Sequence, residues 1–236
     1  EDLAYGFIPN EAGAAFGMTD ELADNYYVGR KPNGMYIPRF RNVKDKHTYY
    51  VRGFAYECYS GRSCWLRGND QPGAGAAFKD SLSKPGPWNM FLVGYGECLP
   101  VYENQVTLDK DKLDPSGLPT LKLDMKWGEN ELTMRKDMEA SALEMLQKTG
   151  FSYATNVPWD PQPGSCIHEM GTARMGNDPK TSVLNKWNQC HEAKNVFVTD
   201  GACMVSTGCQ NPSLTYMALT ARACDHAVNE LKRGEL

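Results

Sequence analysis

The chain has 236 residues, 41% of them hydrophobic, and a net charge of −4. This supports one large domain or two small ones with a real core. The mild acidic balance, without a basic cluster, argues against a nucleic-acid surface, and no apolar run approaches transmembrane length.

Residues 1–30 are rich in Gly, Ala and acids and show no clear period. Asn33-Gly34 marks a tight turn, read as a surface hairpin. His47 to Glu57, HTYYVRGFAYE, has strand composition. Its aromatics, with Tyr59 and Trp65, fit core packing better than sugar stacking. Residues 60–86 read as a Gly-, Ser- and Pro-rich loop with a short helix near Ala76 to Ser81. Trp88 to Glu97, WNMFLVGYGE, is the clearest buried strand. Gln105 to Leu108 and Leu121 to Trp127 are two further strands, separated by a turn at Pro115 and Gly117. LKLDMKW alternates, giving one apolar and one wet face, as in an antiparallel sheet. Glu129 to Lys148 is an amphipathic helix, with Leu132, Met138, Ala142, Met145 and Leu146 near one face and Gly150 at its end. The eight cysteines form no CxxC spacing, and free thiols are expected.

The last seventy residues carry the chemistry. Asn195 to Thr199 reads as a short buried strand ending at Asp200-Gly201. A helix follows, with Asn211 as its N-cap, Pro212 in the first helical position and Gly234 at its end. The apolar spacing of Leu214, Met217, Ala218, Ala221, Val228 and Leu231 predicts a core-facing stripe. The first turn, Pro212-Ser213-Leu214-Thr215, holds no acid, so its free amides suit an anion. Upstream, SCIHEMGTARMG centres on His168, and imidazole is the likeliest general base at neutral pH. The zinc pattern HExxH fails because its fifth position is Thr172, so no metal is expected. His191 and His226 read as structural or surface groups.

HxxGTxRMG, VTDG and NPSLTxMALxAR, in that order, resemble the C-terminal region of the glucose-methanol-choline (GMC) flavoprotein oxidoreductases. The residues that carry the resemblance are His168, Gly171, Thr172, Arg174, Met175, Gly176, Asp200, Gly201, Asn211, Pro212, Thr215, Met217 and Ala218. A looser match extends back to about Gly96. GRKPNGMYIPRF and YYVRGFAYE are similar to members with a catalytic His/Asn pair, among them sugar and glucoside oxidoreductases.

The resemblance implies an α+β fold. Residues 1–160 would form an antiparallel-sheet substrate domain with helices, and residues 161–236 the C-terminal strand-helix segment of an FAD-binding α/β domain. The GxGxxG nucleotide-binding part is not in this sequence: GAGAAFKDS at 73–81 lacks the third glycine. The resemblance implies FAD as cofactor, contacted by Asp200, Gly201, Asn211, Pro212, Ser213 and Thr215. It gives His168 the role of proton acceptor and Asn211 that of hydrogen-bond partner to the substrate oxygen. The implied substrate is an alcohol, a sugar or glycoside first, and the electron acceptor stays open. VTDG and NPSLT also resemble the cholesterol oxidase branch, so a bulky alcohol is an alternative, as is a non-catalytic binding domain. Localisation is not legible.

Overall fold

The computed structural model describes residues 6–7, 15–19, 34–44, 46, 49–84, 86–151, 153–156 and 168–236, with 6–7 and 15–19 as backbone. The turn expected at Asn33-Gly34 begins outside these residues. The architecture is α+β. Its main sheet contains β1 (Gly6–Phe7), β2 (Ala15–Thr19), β3 (Gly34–Ile37), β4 (Phe54–Arg62), β5 (Trp88–Gly96) and β8 (Tyr153–Asn156). The spatial order is β3-β4-β5-β2-β8, with β1 beside the far end of β5, and every pairing is antiparallel. β6 (Gln105–Leu113) and β7 (Pro119–Asp124) form a separate hairpin. α1 (Gly75–Ser83) is the short helix expected in the 60–86 segment.

The strand expected at 47–57 begins later, at Phe54. Arg52 has a left-handed φ of 72°, a conformation no β-strand accommodates. The chain therefore bends before the sheet begins, although Tyr50 is already buried.

α2 (Glu129–Lys148) covers one face of the sheet. Its first turn carries Glu129 and Glu131 and its last turn Lys148, which suits the helix dipole. Glu131 reaches back to accept the Gly128 N–H at 3.0 Å, the acidic half of a capping box. Met134, Met138, Ala142 and Leu146 bury their side chains against Phe54, Tyr56, Cys58 and Leu92. Each large apolar side chain so buried stabilises the fold by about 1.5–3 kcal/mol. Leu132, expected on this face, is exposed, because the contact stripe begins at Glu131 and Met134 instead. Gly94 and Gly96 of β5 leave room for Met134 and Met138, which a Cβ would crowd.

One polar knot ties α2 to the loop before β4. Arg41 donates to both Asp137 carboxylate oxygens at 2.8 and 2.9 Å. Tyr50 donates to the same carboxylate at 2.6 Å and Ser141 at 3.0 Å. Burial favours the protonated acid, yet the hydrogen bonds from Arg41, Tyr50 and Ser141 outweigh it and hold the Asp137 carboxyl below its ordinary range. A folded-state pKa below the unfolded one means the stabilisation is present above the unfolded value near 4. It is lost as pH falls through the folded value. Asp137→Asn should therefore cost about 2 kcal/mol at pH 7, the low end for a buried pair because Arg41 still meets water. In urea titrations that difference should shrink below about pH 4; an unchanged midpoint at pH 7 would show that the knot contributes nothing.

The far face of the sheet positions the site. Phe54, Tyr56 and Cys58 point to α2, so Ala55, Glu57 and Tyr59 point the other way by the strand alternation. Cross-strand register adds Tyr36 from β3 and Phe91, Val93 and Tyr95 from β5 to that face.

Candidate functional site

Two segments meet over this face. The first starts at His168. Its backbone is laced to the 201–203 turn: Gly171 N–H donates to the Gly201 carbonyl at 3.3 Å, Ala173 to Ala202 at 2.9 Å and Met175 to Cys203 at 2.9 Å. The two sequence motifs thus form one substructure. Its tightest point is Gly201, where a Cβ would lie 2.3 Å from the Glu169 carbonyl oxygen and 2.8 Å from the Tyr216 hydroxyl. The missing side chain admits the backbone that carries His168. Asp200 Oδ1 accepts the Ala202 N–H at 3.0 Å, capping a short 3-10 turn.

The second segment is 207–211, stapled to the sheet face. The Tyr36 hydroxyl donates to the Cys209 carbonyl at 3.4 Å, and the Cys209 thiol to the Gly53 carbonyl at 3.5 Å. The Thr207 backbone bonds Glu97. Asn211 Nδ2 donates to Glu57 Oε1 at 2.7 Å. Burial, together with Cys209 and Glu57, pushes the Tyr36 hydroxyl up to about 12.

Asn211 was expected to cap the following helix. α3 (Ser213–Arg233) instead has Pro212 at its N-cap, with no side-chain cap, because the Asn211 amide is turned to Glu57. Gly234 ends the helix in the left-handed conformation, φ 71°. The first turn is free of acids, as expected, so the amides of Ser213, Leu214 and Thr215 form a positively polarised terminus.

The buried side of α3 is not the expected one. Leu214, Met217 and Leu231 are 78%, 68% and 65% exposed. The covered face comprises Tyr216, Leu219, Thr220, Ala223, His226, Ala227 and Glu230. Its contacts include polar and aromatic ones: His226 stacks on Trp187 with centroids 4.8 Å apart, and Arg222, at the edge of that face, donates to Asn188 Oδ1 at 3.1 Å. Likewise the buried strand expected at 195–199 is an extended stretch with a single bridge, Gln189 to Phe197, and Val196 is exposed. His191 Nε2 lies 3.1 Å from Ser182 Oγ and 3.2 Å from the Gly176 carbonyl, a structural role as expected.

His168 is 9% exposed. Burial lowers its proton affinity below the ordinary imidazole range, opposed by the charges of Glu169 and Glu57. It is therefore neutral near pH 7, the state a proton acceptor needs. Glu57 neighbours both His168 and Asn211 and was not singled out in the sequence. It also accepts the Tyr59 hydroxyl at 2.9 Å and bonds Tyr95. The one signal for it was a lone acid in an aromatic strand. An open depression of about 290 Å³ lies beside it, lined by Gly34, Met35, Tyr36, Glu57, Cys58 and Tyr59.

These features suit an oxidised or reduced flavin beside an alcohol. A helix terminus without acids fits a ring system that gains negative charge, and a neutral buried imidazole with a fixed amide fits a hydroxyl.

Among the described residues, the seven cysteines are free thiols, and no helix is long and apolar enough to cross a membrane.

The chain is similar to a 2-methyl-1,2-propanediol dehydrogenase of Mycolicibacterium austroafricanum, 39% identical over 138 residues, covering 58% of this chain and 25% of the relative. It is similar to a fructose dehydrogenase large subunit of Gluconobacter japonicus, 33% identical over 138 residues, with 58% and 25% covered. A paromamine 6'-oxidase of Streptomyces fradiae is 33% identical over 132 residues, with 56% and 24% covered. The chain thus spans about a quarter of the length of these curated relatives. The family model described as GMC oxidoreductase matches residues 100–220, just over half of the chain, which takes in His168 and Asn211, and the chain belongs to that family.

Proposed function

We propose that this chain is part of an FAD-dependent oxidoreductase acting on CH–OH groups, with a sugar, glycoside or small polyol as substrate. The observation that carries the reading is the setting of His168 and Asn211, a buried neutral imidazole and an anchored amide that share Glu57 as neighbour.

His168 accepts the hydroxyl proton on a ring nitrogen. The second Asn211 N–H donates to the same oxygen and holds it as it becomes a carbonyl. Losing the proton makes the carbinol hydrogen a better hydride, so base catalysis and positioning act on one step. FAD, when bound, would supply the hydride acceptor, and the Ser213, Leu214 and Thr215 amides would hold its negatively charged side; a donor so placed is typically worth about 3 kcal/mol in the transition state. Asp200, Gly201 and Pro212 line the same cofactor side.

The domain reading follows. Residues 1–160 form the substrate side and 161–236 the cofactor side. The exposed stripe of Leu214, Met217, Val228 and Leu231 packs on the nucleotide-binding part, in keeping with the quarter-length span of the alignments. The relatives' names, a 2-methyl-1,2-propanediol dehydrogenase, a fructose dehydrogenase and a paromamine 6'-oxidase, support a sugar or polyol over a sterol.

The test is anaerobic mixing of the flavin-loaded full-length protein with sugars, glycosides, polyols, sterols and simple alcohols, followed by the flavin's visible absorbance. Bleaching by a carbohydrate or polyol is expected. Bleaching by sterols alone would reassign the substrate, and folded protein without flavin would remove the enzyme reading.

A further inference from the structure

Asn211 is exposed, and an exposed amide normally turns freely between its two orientations. Here its Nδ2 is drawn to a carboxylate, a charge-assisted bond at 2.7 Å. Turning the amide over would set Oδ1 against the carboxylate oxygens, acceptor against acceptor. The carboxylate therefore selects one orientation, with one N–H spent on Glu57 and the other left over. The carboxylate is itself held: Tyr59 donates to Oε2 at 2.9 Å, and Tyr95 bonds it from β5. Three donors from two strands and the 207–211 segment use most of its acceptor capacity. Glu57 is thus poorly placed to bind substrate and well placed to hold a neighbour.

Its second effect is electrostatic. The charges that act on His168 are Glu169, from its own segment, and Glu57, from β4. The other titratable groups of this face stay neutral at working pH: Tyr36 and Cys209 are pushed up to about 12 and about 11, and Tyr59 and Tyr95 are raised. Arg39 and Glu97 act one step away, on Cys209.

We propose that Glu57 is the positioning residue of the His168–Asn211 pair: its carboxylate fixes the Asn211 amide and sets a negative charge beside His168 that favours the imidazolium formed when the substrate proton is taken. This rests on the reading of that pair as the alcohol-oxidising centre.

The test compares flavin-loaded full-length wild type, Glu57→Gln, Glu57→Ala and His168→Ala. Two quantities are read: anaerobic flavin reduction against pH, and the NMR titration of the His168 ring in protein with labelled histidine, assigned by its absence in His168→Ala. Glu57→Gln keeps one acceptor oxygen for Asn211 and removes the charge; its NH2 takes the place of the oxygen that met Tyr59, whose hydroxyl can turn to accept. Its His168 titration and the acid limb of its reduction profile should both move to lower pH, with the maximal rate within a few-fold. Glu57→Ala also frees the amide and should slow maximal reduction by at least about tenfold while substrate affinity changes little, the signature of an interaction made in the transition state. Unmoved titration and unmoved rates in both Glu57 variants, beside a slow His168→Ala, would overturn the role of Glu57 alone. A His168→Ala variant as fast as wild type would overturn the pair itself. Should Glu57→Ala fail to fold, the near-isosteric Gln variant still decides through the His168 titration.

Discussion

Replacing His168 by alanine is expected to leave FAD bound and to slow flavin reduction by at least about a hundredfold, the usual scale for loss of a general base. That corresponds to about 2.7 kcal/mol of barrier. Burial keeps the imidazole neutral and ready to accept a proton. The 201–203 turn is held to the 171–175 segment by backbone hydrogen bonds, which the substitution leaves in place, and the groups proposed to meet the cofactor at the first turn of α3 are backbone amides. The variant should therefore keep its flavin spectrum while losing rate, and the rate should recover partly as pH rises and solvent takes over proton removal. Near wild-type reduction at pH 7 would exclude the role.

Gly201→Ala should have the largest effect on the scaffold. Its new methyl would lie 2.3 Å from the Glu169 carbonyl. The obstacle is backbone, and that backbone is tied to the 201–203 turn by three hydrogen bonds, so it cannot swing aside as a side chain would. We expect a loss of about 3 kcal/mol, the upper end for overpacking, measured as a shift of the urea midpoint. Flavin reduction should fall as well, because residue 169 carries His168 with it, and a misplacement of about 1 Å at a catalytic group can cost a hundredfold. Gly61→Ala is the control: no atom lies within 4 Å of its Cβ. Equal midpoints for the two variants would mean that the close approach at Gly201 carries no strain.

Legibility in the sequence followed the physics of each element. The bounds of α2 were readable because its amphipathic period and the glycine after it agree, although Leu132 was assigned to the buried face and is exposed. β5 and the β6–β7 hairpin were readable from apolar runs and a Pro-Gly turn, although β6 runs on to Leu113 and β7 is shifted, starting at Pro119 and ending at Asp124 rather than Trp127. α3 was found at its correct length and its core face was assigned to the wrong side. Apolar period points to whatever the apolar side meets, and within this chain the helix is held through Tyr216, Ala223, His226 and the nearby Arg222. On that side Leu219, Ala223 and Ala227 are interleaved with polar and aromatic residues, so its apolar period is weaker than that of the exposed Leu and Met stripe.

The site was legible in part. His168 and Asn211 lie in motifs that stand out by their glycines and their Asn-Pro step. Glu57 is 154 positions from Asn211, and no local pattern announces a bond over that separation. The Asn211 cap failed for the same reason. Cap preference is local and worth about 1 kcal/mol, and a distant carboxylate with a charged hydrogen bond outcompetes it.

The measurement closest to the central claim is the rate of anaerobic flavin reduction by a bleaching substrate deuterated at its carbinol carbon, compared with the undeuterated alcohol. Removal of the hydroxyl proton by His168 with hydride transfer to the flavin predicts that deuteration slows the bleaching, and that His168→Ala slows it further without abolishing the isotope effect. Identical rates for the two substrates, under conditions where binding is saturated, would show that carbon–hydrogen cleavage does not set the observed step and would contradict the account.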